Sequence, residues 1–323
     1  QDSVLLQFSK PNAYLTKAKG IYAKNKSLSK EELAELLDLL KKGISILEQR
    51  KAVIKTSEDV SELIASNEEL FNFAKKIRLD YYVQTEQEKV LDEILSLHES
   101  AIYTRIRARL NLRQDVAYAG VPKAVTEREE QLKTALTSSL HSESSHGIDQ
   151  FFKATKTWNQ FIDSLKTNYP NYYEIRYKNI ETSLASIQKK LPHHTTAIRY
   201  MFIDSKLYAV VLDKDQKQLI SLDFEPLKKS LHNIQTNKFD ALELAPSLHK
   251  LYKGLWEPLQ KYIQHKKVLI IPDGALYNLS FEMLTPKPIS TFSDLATNSL
   301  LYEHTISYNF SLLLLNTDTT SIT

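Results

Sequence analysis

His141 and His146 flank Glu143 in the stretch HSESSHG, and imidazoles with a carboxylate are donors that suit a divalent metal ion. Their i, i+5 spacing does not put both histidines on one helical face, and the Ser/Gly composition reads as a solvated loop. His193–His194 follows Pro192 and reads as a boundary turn. Ser280 or Ser307 with His304 offers a hydroxyl and a base, the pair a serine hydrolase needs, but no G-x-S-x-G elbow occurs. Asp273–Gly274 is a turn of the kind that can cradle phosphate; with one glycine and no helix start after it, a plain β-turn is expected. Arg105, Arg109 and Arg113 fall at i, i+4 and i+8 with Arg107 nearby, the one basic stripe. It reads as a solvated or salt-bridged helix face, with a protein or nucleic-acid docking strip as the other option. Tyr81–Tyr82 and Tyr172–Tyr173 read as half-buried packing, with partner contact as the alternative. There is no cysteine, which excludes disulfides, thiolate metal sites and a cysteine nucleophile within the chain. No catalytic residue, cofactor site or metal site is therefore expected in these residues.

The elements that position these groups come from a chain of 323 residues, enough for two ordinary domains. The 42 basic and 39 acidic residues leave a net charge of +3, which gives no reason to expect nucleic acid or an anionic membrane as partner. No apolar run approaches the ~18 residues that span a bilayer. QDSVLLQFSK lacks a basic region followed by an apolar one, so no signal peptide is read there. A cytoplasmic location is the expectation, with a leader or anchor outside Gln1–Thr323 left open.

Residues 1 to about 192 read as helical. Ser29–Lys30–Glu31–Glu32 is a capping box, and Leu33, Leu36, Leu37, Leu40, Ile44 and Leu47 form one apolar stripe behind it. Ser57–Glu58–Asp59 predicts a second helix start, and Asn67–Glu68–Glu69 a third, burying Leu70, Phe73, Ala74, Ile77 and Tyr81. A long helix is predicted over Glu86–Arg113, with Val90, Leu91, Ile94, Leu97, Ala101 and Ile102 inward. Val121–Pro122 breaks the pattern, and further helices are predicted over 127–140, 151–167 and 174–191. Paired antiparallel helices are what tetratricopeptide (TPR) arrays stack, and an irregular bundle fits the same stripes. After Leu191–Pro192 the period changes to two. Thr196–Ile203, Lys206–Leu212 and Gln218–Phe224 predict an antiparallel meander turned at Asp204–Ser205 and Lys214–Gln216. Helices are predicted over Pro226–Ile234 and Ala245–Gln264, then a central strand at Val268–Ile271, apolar on both faces. Leu300–Tyr308 predicts a last strand and Phe310–Leu315 a helix start. The fold class is helical hairpins followed by a mixed-sheet α/β domain, with boundaries at 1–120, 121–192 and 193–323.

The segment KKVLIIPDGALYNLSFEML, Lys266–Leu284, resembles the "hhhhPdG-L-xx-hPFE-L" segment of CHAT domains, the caspase/separase-like peptidase domains fused to TPR arrays in bacterial proteins. The residues that carry it are Pro272, Asp273, Gly274, Leu279, Phe281 and Glu282, with Ser280 standing where the family has proline. Other blocks follow in the family's order. Glu127–Arg128–Glu129 and Tyr169–Pro170–Asn171–Tyr172 with Ile175–Arg176 resemble the helical lead-in. Thr195–Thr196–Ala197 with Tyr200, then Lys206–Val211, resemble the first strands. Leu251–Tyr252, Leu255, Pro258 and Leu259 resemble the "LYxxLxxPL" helix, and Leu300–Leu301, Ile306–Ser307–Tyr308 and Ser311–Leu312 the last strand and helix start. The resemblance implies a TPR-like helical part and the pseudo-caspase-like first half of a CHAT domain. It implies a cysteine peptidase whose histidine and cysteine lie in later segments that nothing here matches, so the fragment itself is expected to be inactive. It implies no cofactor, and a protein partner or peptide substrate held by the helical region. A non-enzymatic scaffold of helical hairpins is the alternative.

Overall fold

The protein is described by a computed structural model over residues 2–24, 27–51, 62–63, 65–111, 121–140, 147–170, 172–173, 177, 184–236 and 241–315. It divides into two units, Gln1–Glu181 and Thr182–Thr323.

In the first unit the capping box forms as the sequence predicts. Glu32 N–H donates to Ser29 Oγ (3.2 Å) and Ser29 N–H to Glu32 Oε2 (2.8 Å), satisfying two amides that the first helical turn leaves open. The helix that follows, α2 (Lys30–Lys51), packs on α1 (Asp2–Lys24) and α3 (Glu68–Thr85). Leu33, Leu36, Leu40 and Leu47 of its stripe are fully buried, against Leu15 and Ala18 of α1 and Leu70, Ala74 and Ile77 of α3. The start of α3 differs from the expected cap: the Asn67 side chain donates back to Leu63 O (2.9 Å) and makes no cap hydrogen bond. The predicted helix from Glu86 begins instead at α4 (Glu88–Asn111). Glu86 adopts φ 51° and donates its N–H to Tyr82 O, which ends α3 in a left-handed cap. The predicted start at 57–59 lies outside the described residues. Next come α5 (Lys123–Leu140), four residues longer at its start than read, and α6 (Gly147–Asn168), packed together around Leu132, Leu136 and Trp158.

The second unit opens with α7 (Leu184–Lys190) and continues with the predicted meander, β1 (Thr195–Ile203), β2 (Lys206–Leu212) and β3 (Lys217–Leu222). β1 and β2 pair antiparallel from Ala197↔Leu212 to Ile203↔Lys206, across a two-residue turn in which Asp204 and Ser205 both take positive φ (50° and 63°). β4 (Lys267–Ile271) lies parallel to β1, with Thr195 opposite Lys267, and β5 (Thr305–Tyr308) lies parallel to β4. The sheet order is β3-β2-β1-β4-β5, so β4 is internal, and Val268–Ile271 is buried throughout, as its apolar run requires.

One face of the sheet (Ile198, Tyr200, Ala209, Val211, Val268, Ile270) packs on Leu248, Leu251, Leu255, Trp256 and Leu259. These helical residues come from α9 (Ala241–Leu251) and its continuation, preceded by α8 (Lys228–Thr236). The predicted single helix to Gln264 does not form: after Leu251 the chain makes a π turn over Tyr252–Trp256 and a 3-10 turn over Glu257–Tyr262. Pro258 is the reason, since it lacks an N–H and crowds the preceding turn. The predicted last strand also shortens. Leu300–Glu303 is a helical turn, α10, held by Leu300 N–H to Leu284 O (2.9 Å), and only Thr305–Tyr308 extends. Leu312–Leu314 is a 3-10 turn rather than the start of an α-helix. No helix among the described residues is long and apolar enough to cross a membrane.

Candidate functional site at the carboxyl ends of the parallel strands

In an open sheet the carboxyl ends of parallel strands are the usual place for a site, because the chain turns there and backbone groups are left to be satisfied. Here those ends are Ile203, Ile271 and Tyr308, and the motif residues gather at them. The Asp273 carboxylate accepts Phe202 N–H at the end of β1 (2.8 Å). Gly274 follows with φ +51°, and a Cβ there would lie 3.1 and 3.2 Å from the Phe202 ring, itself edge-on to Phe224 at 4.9 Å. Gly274→Ala should therefore destabilise this unit by about 1–2 kcal/mol through left-handed strain, checked by a shift of its urea midpoint.

Leu276, Leu279 and Phe281 turn back into the core, where Phe281 stacks on Tyr200 with ring centroids 5.1 Å apart. Tyr200 is fully buried, which pushes its phenol well above the ordinary value, and its hydroxyl donates to Leu255 O (2.9 Å). Phe281 N–H donates to Tyr308 Oη (2.8 Å), and Tyr308 O–H donates to the Glu282 carboxylate. Partial burial first, and the Glu282 carboxylate second, raise the Tyr308 phenol well above its ordinary range, so it stays a neutral donor. Ser311 is buried and its Oγ accepts Leu313 N–H (3.1 Å), opening the last 3-10 turn. Asp273, Phe281, Glu282 and Tyr308 thus form a braced block at the ends of β1, β4 and β5, with Gly274 in its turn and Leu279 in the core beneath, while Ser311 caps the turn that follows β5. In place of the plain β-turn expected there, Asp273 precedes a 3-10 turn over Gly274–Asn278, and its carboxylate, accepting Phe202 N–H, suits a structural turn and not a phosphate cradle.

Arg199 completes the block and was not singled out from the sequence. It is fully buried on β1, and its Nη1 donates to Ile271 O (3.3 Å) and Pro272 O (2.7 Å), the carbonyls at which β4 ends. A lone charge among the apolar residues of TAIRYMFI, on a strand buried on both faces, was the available signal.

A second meeting occurs in the helical unit. Glu129 and Tyr172, from two blocks of the lead-in, are both buried and the Tyr172 O–H donates to the Glu129 carboxylate. Lys133 Nζ contacts Glu129 Oε1 at 2.7 Å and lies 5.6 Å from the Tyr177 ring centroid, which is edge-on to Trp158.

The other sequence candidates resolve separately. Ser307 Oγ donates to Val268 O (3.5 Å) and the His304 ring lies over Trp256 (5.2 Å), so the two do not form a nucleophile and base. Ser280 opens the 3-10 turn at Phe281–Met283. His193–His194 forms the turn into β1, with His194 at φ 55°. Tyr81 packs against the α1–α3 core, and Tyr173 stacks on Tyr177 at 6.4 Å. Among the described residues no group of three or more metal-binding side chains is disposed to hold an ion. His141, Glu143, His146, Arg113, Ile175 and Arg176 lie outside the described residues, as do the side chains of Arg105, Arg107 and Arg109.

No protein-family model matches the chain, and no curated protein matches it.

Proposed function

We propose that this chain is the scaffold and regulatory portion of a TPR–CHAT protein, a caspase-like cysteine peptidase whose catalytic histidine and cysteine belong to further polypeptide. On this reading the first unit is a set of TPR-like hairpins and the second is the pseudo-caspase-like first half of the CHAT domain. The observation that carries the reading is the braced block. Pro272, Asp273, Gly274, Leu279, Phe281, Glu282, Tyr308 and Ser311 carry the sequence pattern, and hydrogen bonds join three of them, Phe281 and Glu282 to Tyr308, over 27 and 26 positions. The Glu129–Tyr172 bond, between two other matched blocks 43 positions apart, supports it independently.

The physical role follows from the geometry. A cysteine–histidine dyad needs its imidazole within hydrogen-bond reach of the thiol, held at neighbouring strand ends. A block that fixes the ends of β1, β4 and β5 gives such strand ends a rigid neighbour.

Two measurements test this. The chain spanning Gln1–Thr323 should release no product from fluorogenic peptide libraries, whereas a polypeptide extended through a His-Gly strand end and a later cysteine should react with a thiol-directed electrophile and cleave peptide. Specific cleavage by the shorter chain, or a natural reading frame lacking both elements, would overturn the reading. The latter result would favour the second one, a binding scaffold without chemistry, for which the successive packing of α1 on α2, α2 on α3 and α3 on α4 is the supporting observation.

A further inference from the structure

The opposite margin of the sheet, where β1 and β4 begin, gathers charge that is dispersed in the sequence. α7 ends in Lys189–Lys190, and Gln188 Nε2 donates to Asp213 O (2.7 Å) and Gln216 O (3.1 Å), which fixes that helix end beside the β2–β3 turn. The turn carries Lys214, whose Nζ lies 3.1 Å from His193 Nε2, and leads into Lys217. The His194 ring is 5.8 Å from that of His265, and Lys266–Lys267 follows, with Lys267 opposite Thr195. Six lysines thus lie along one margin. The segments that form it from β3 to β4 contain two carboxylates, and the exposed Glu303, two residues before Thr305 of β5, adds one beyond its Lys267 end. Of the first two, Asp213 is buried and accepts the N–H groups of Asp215 and Gln216, which leaves Asp215 as the exposed one. Among the described residues Lys189, Lys190, Lys266 and Lys267 make no ion pair, while Lys228 and Lys253 in the same unit pair with Glu225 and Glu257.

We infer that this margin binds an acidic, extended polypeptide segment with carboxylates on alternate residues. From β3 to β4 the row crosses three strand spacings, about 14 Å, and an extended chain covers that in about five residues, presenting three side chains on one side. The margin contains lysines and no arginine, so it offers mobile point charges suited to separate carboxylates instead of forks fixed for one phosphate geometry. This inference is independent of the peptidase reading.

The test is fluorescence polarisation with a labelled peptide of about seven residues carrying glutamate at alternate positions, beside its glutamine counterpart and an oligouridylate of equal charge. The glutamate peptide should bind, more weakly as salt rises, and the glutamine peptide should not. Lys266→Glu with Lys267→Glu should weaken binding about tenfold, and Lys228→Glu on the other side of the unit should leave it unchanged. Should the reversal variant fail to fold by circular dichroism, Lys266→Gln with Lys267→Gln gives the same direction of change. Wild-type affinity in the folded variant, equal binding of the glutamine peptide, tighter binding of the oligouridylate, or no binding at all would overturn the inference.

Discussion

Glu129→Ala should destabilise the helical unit by about 3–5 kcal/mol, because it leaves the Lys133 ammonium in a dry interior without its nearest carboxylate. Lys133 and Glu129 are 5% and 1% exposed, so water cannot compensate the change as it would at the surface. The Tyr172 hydroxyl loses its acceptor at the same time. The sequence contains two tryptophans, one in each unit, so a Trp256→Phe background makes Trp158 the reporter of urea unfolding in the first. Glu129→Leu combined with Lys133→Met should recover most of the loss, since replacing both charges by apolar groups of similar size removes the desolvation cost along with the attraction. A single-variant change under about 1 kcal/mol would mean that the pair is solvated in solution.

Phe281→Ala should lower the stability of the α/β unit by about 3–5 kcal/mol, the usual range for deleting a buried ring whose surroundings relax only in part. Phe281 is fully buried, stacks on Tyr200 and anchors the N–H that Tyr308 accepts, so the cavity opens where three strand ends are joined. Phe281→Leu retains most of the volume and should cost clearly less. Trp256 fluorescence in a Trp158→Phe background reads both variants. Equal midpoints for the alanine variant and the parent would show that the block does not hold the sheet.

The parts of this fold legible in the sequence are those specified by neighbours in the chain. The capping box at Ser29–Glu32, the alternation of β1 and β2, and the apolar run of β4 each follow from a local pattern and appear in the structure. What escaped depends on distant partners. Asn67 has the right residue type for a cap, yet its amide finds Leu63 O instead. Leu300–Glu303 reads as strand, but Leu284 O captures Leu300 N–H and starts a turn. Of the block itself the residue types were visible, while Arg199 and the bonds among Phe281, Glu282 and Tyr308 were not, because each spans a crossover of the sheet. The lysine margin escaped for the same reason: its members come from three segments separated by about 25 and 50 residues, and only the parallel pairing of β1 with β4 makes them adjacent.

The two borders of the sheet are unequally guarded. The β3 border carries Lys217 and Gln218, while Thr305–Ile306–Ser307–Tyr308 on the other side has no charge, proline or bulge, and Leu301, Tyr302 and Phe310 beside it are mostly exposed. Thr305 and Asn309 direct their amides inward to Lys266 O and Ile270 O, so the alternation of a parallel ladder turns those of Ile306 and Tyr308 outward. Such a ribbon accepts any extended backbone that reaches it. A matching strand paired along β5 would cover this border and remove its template for self-association.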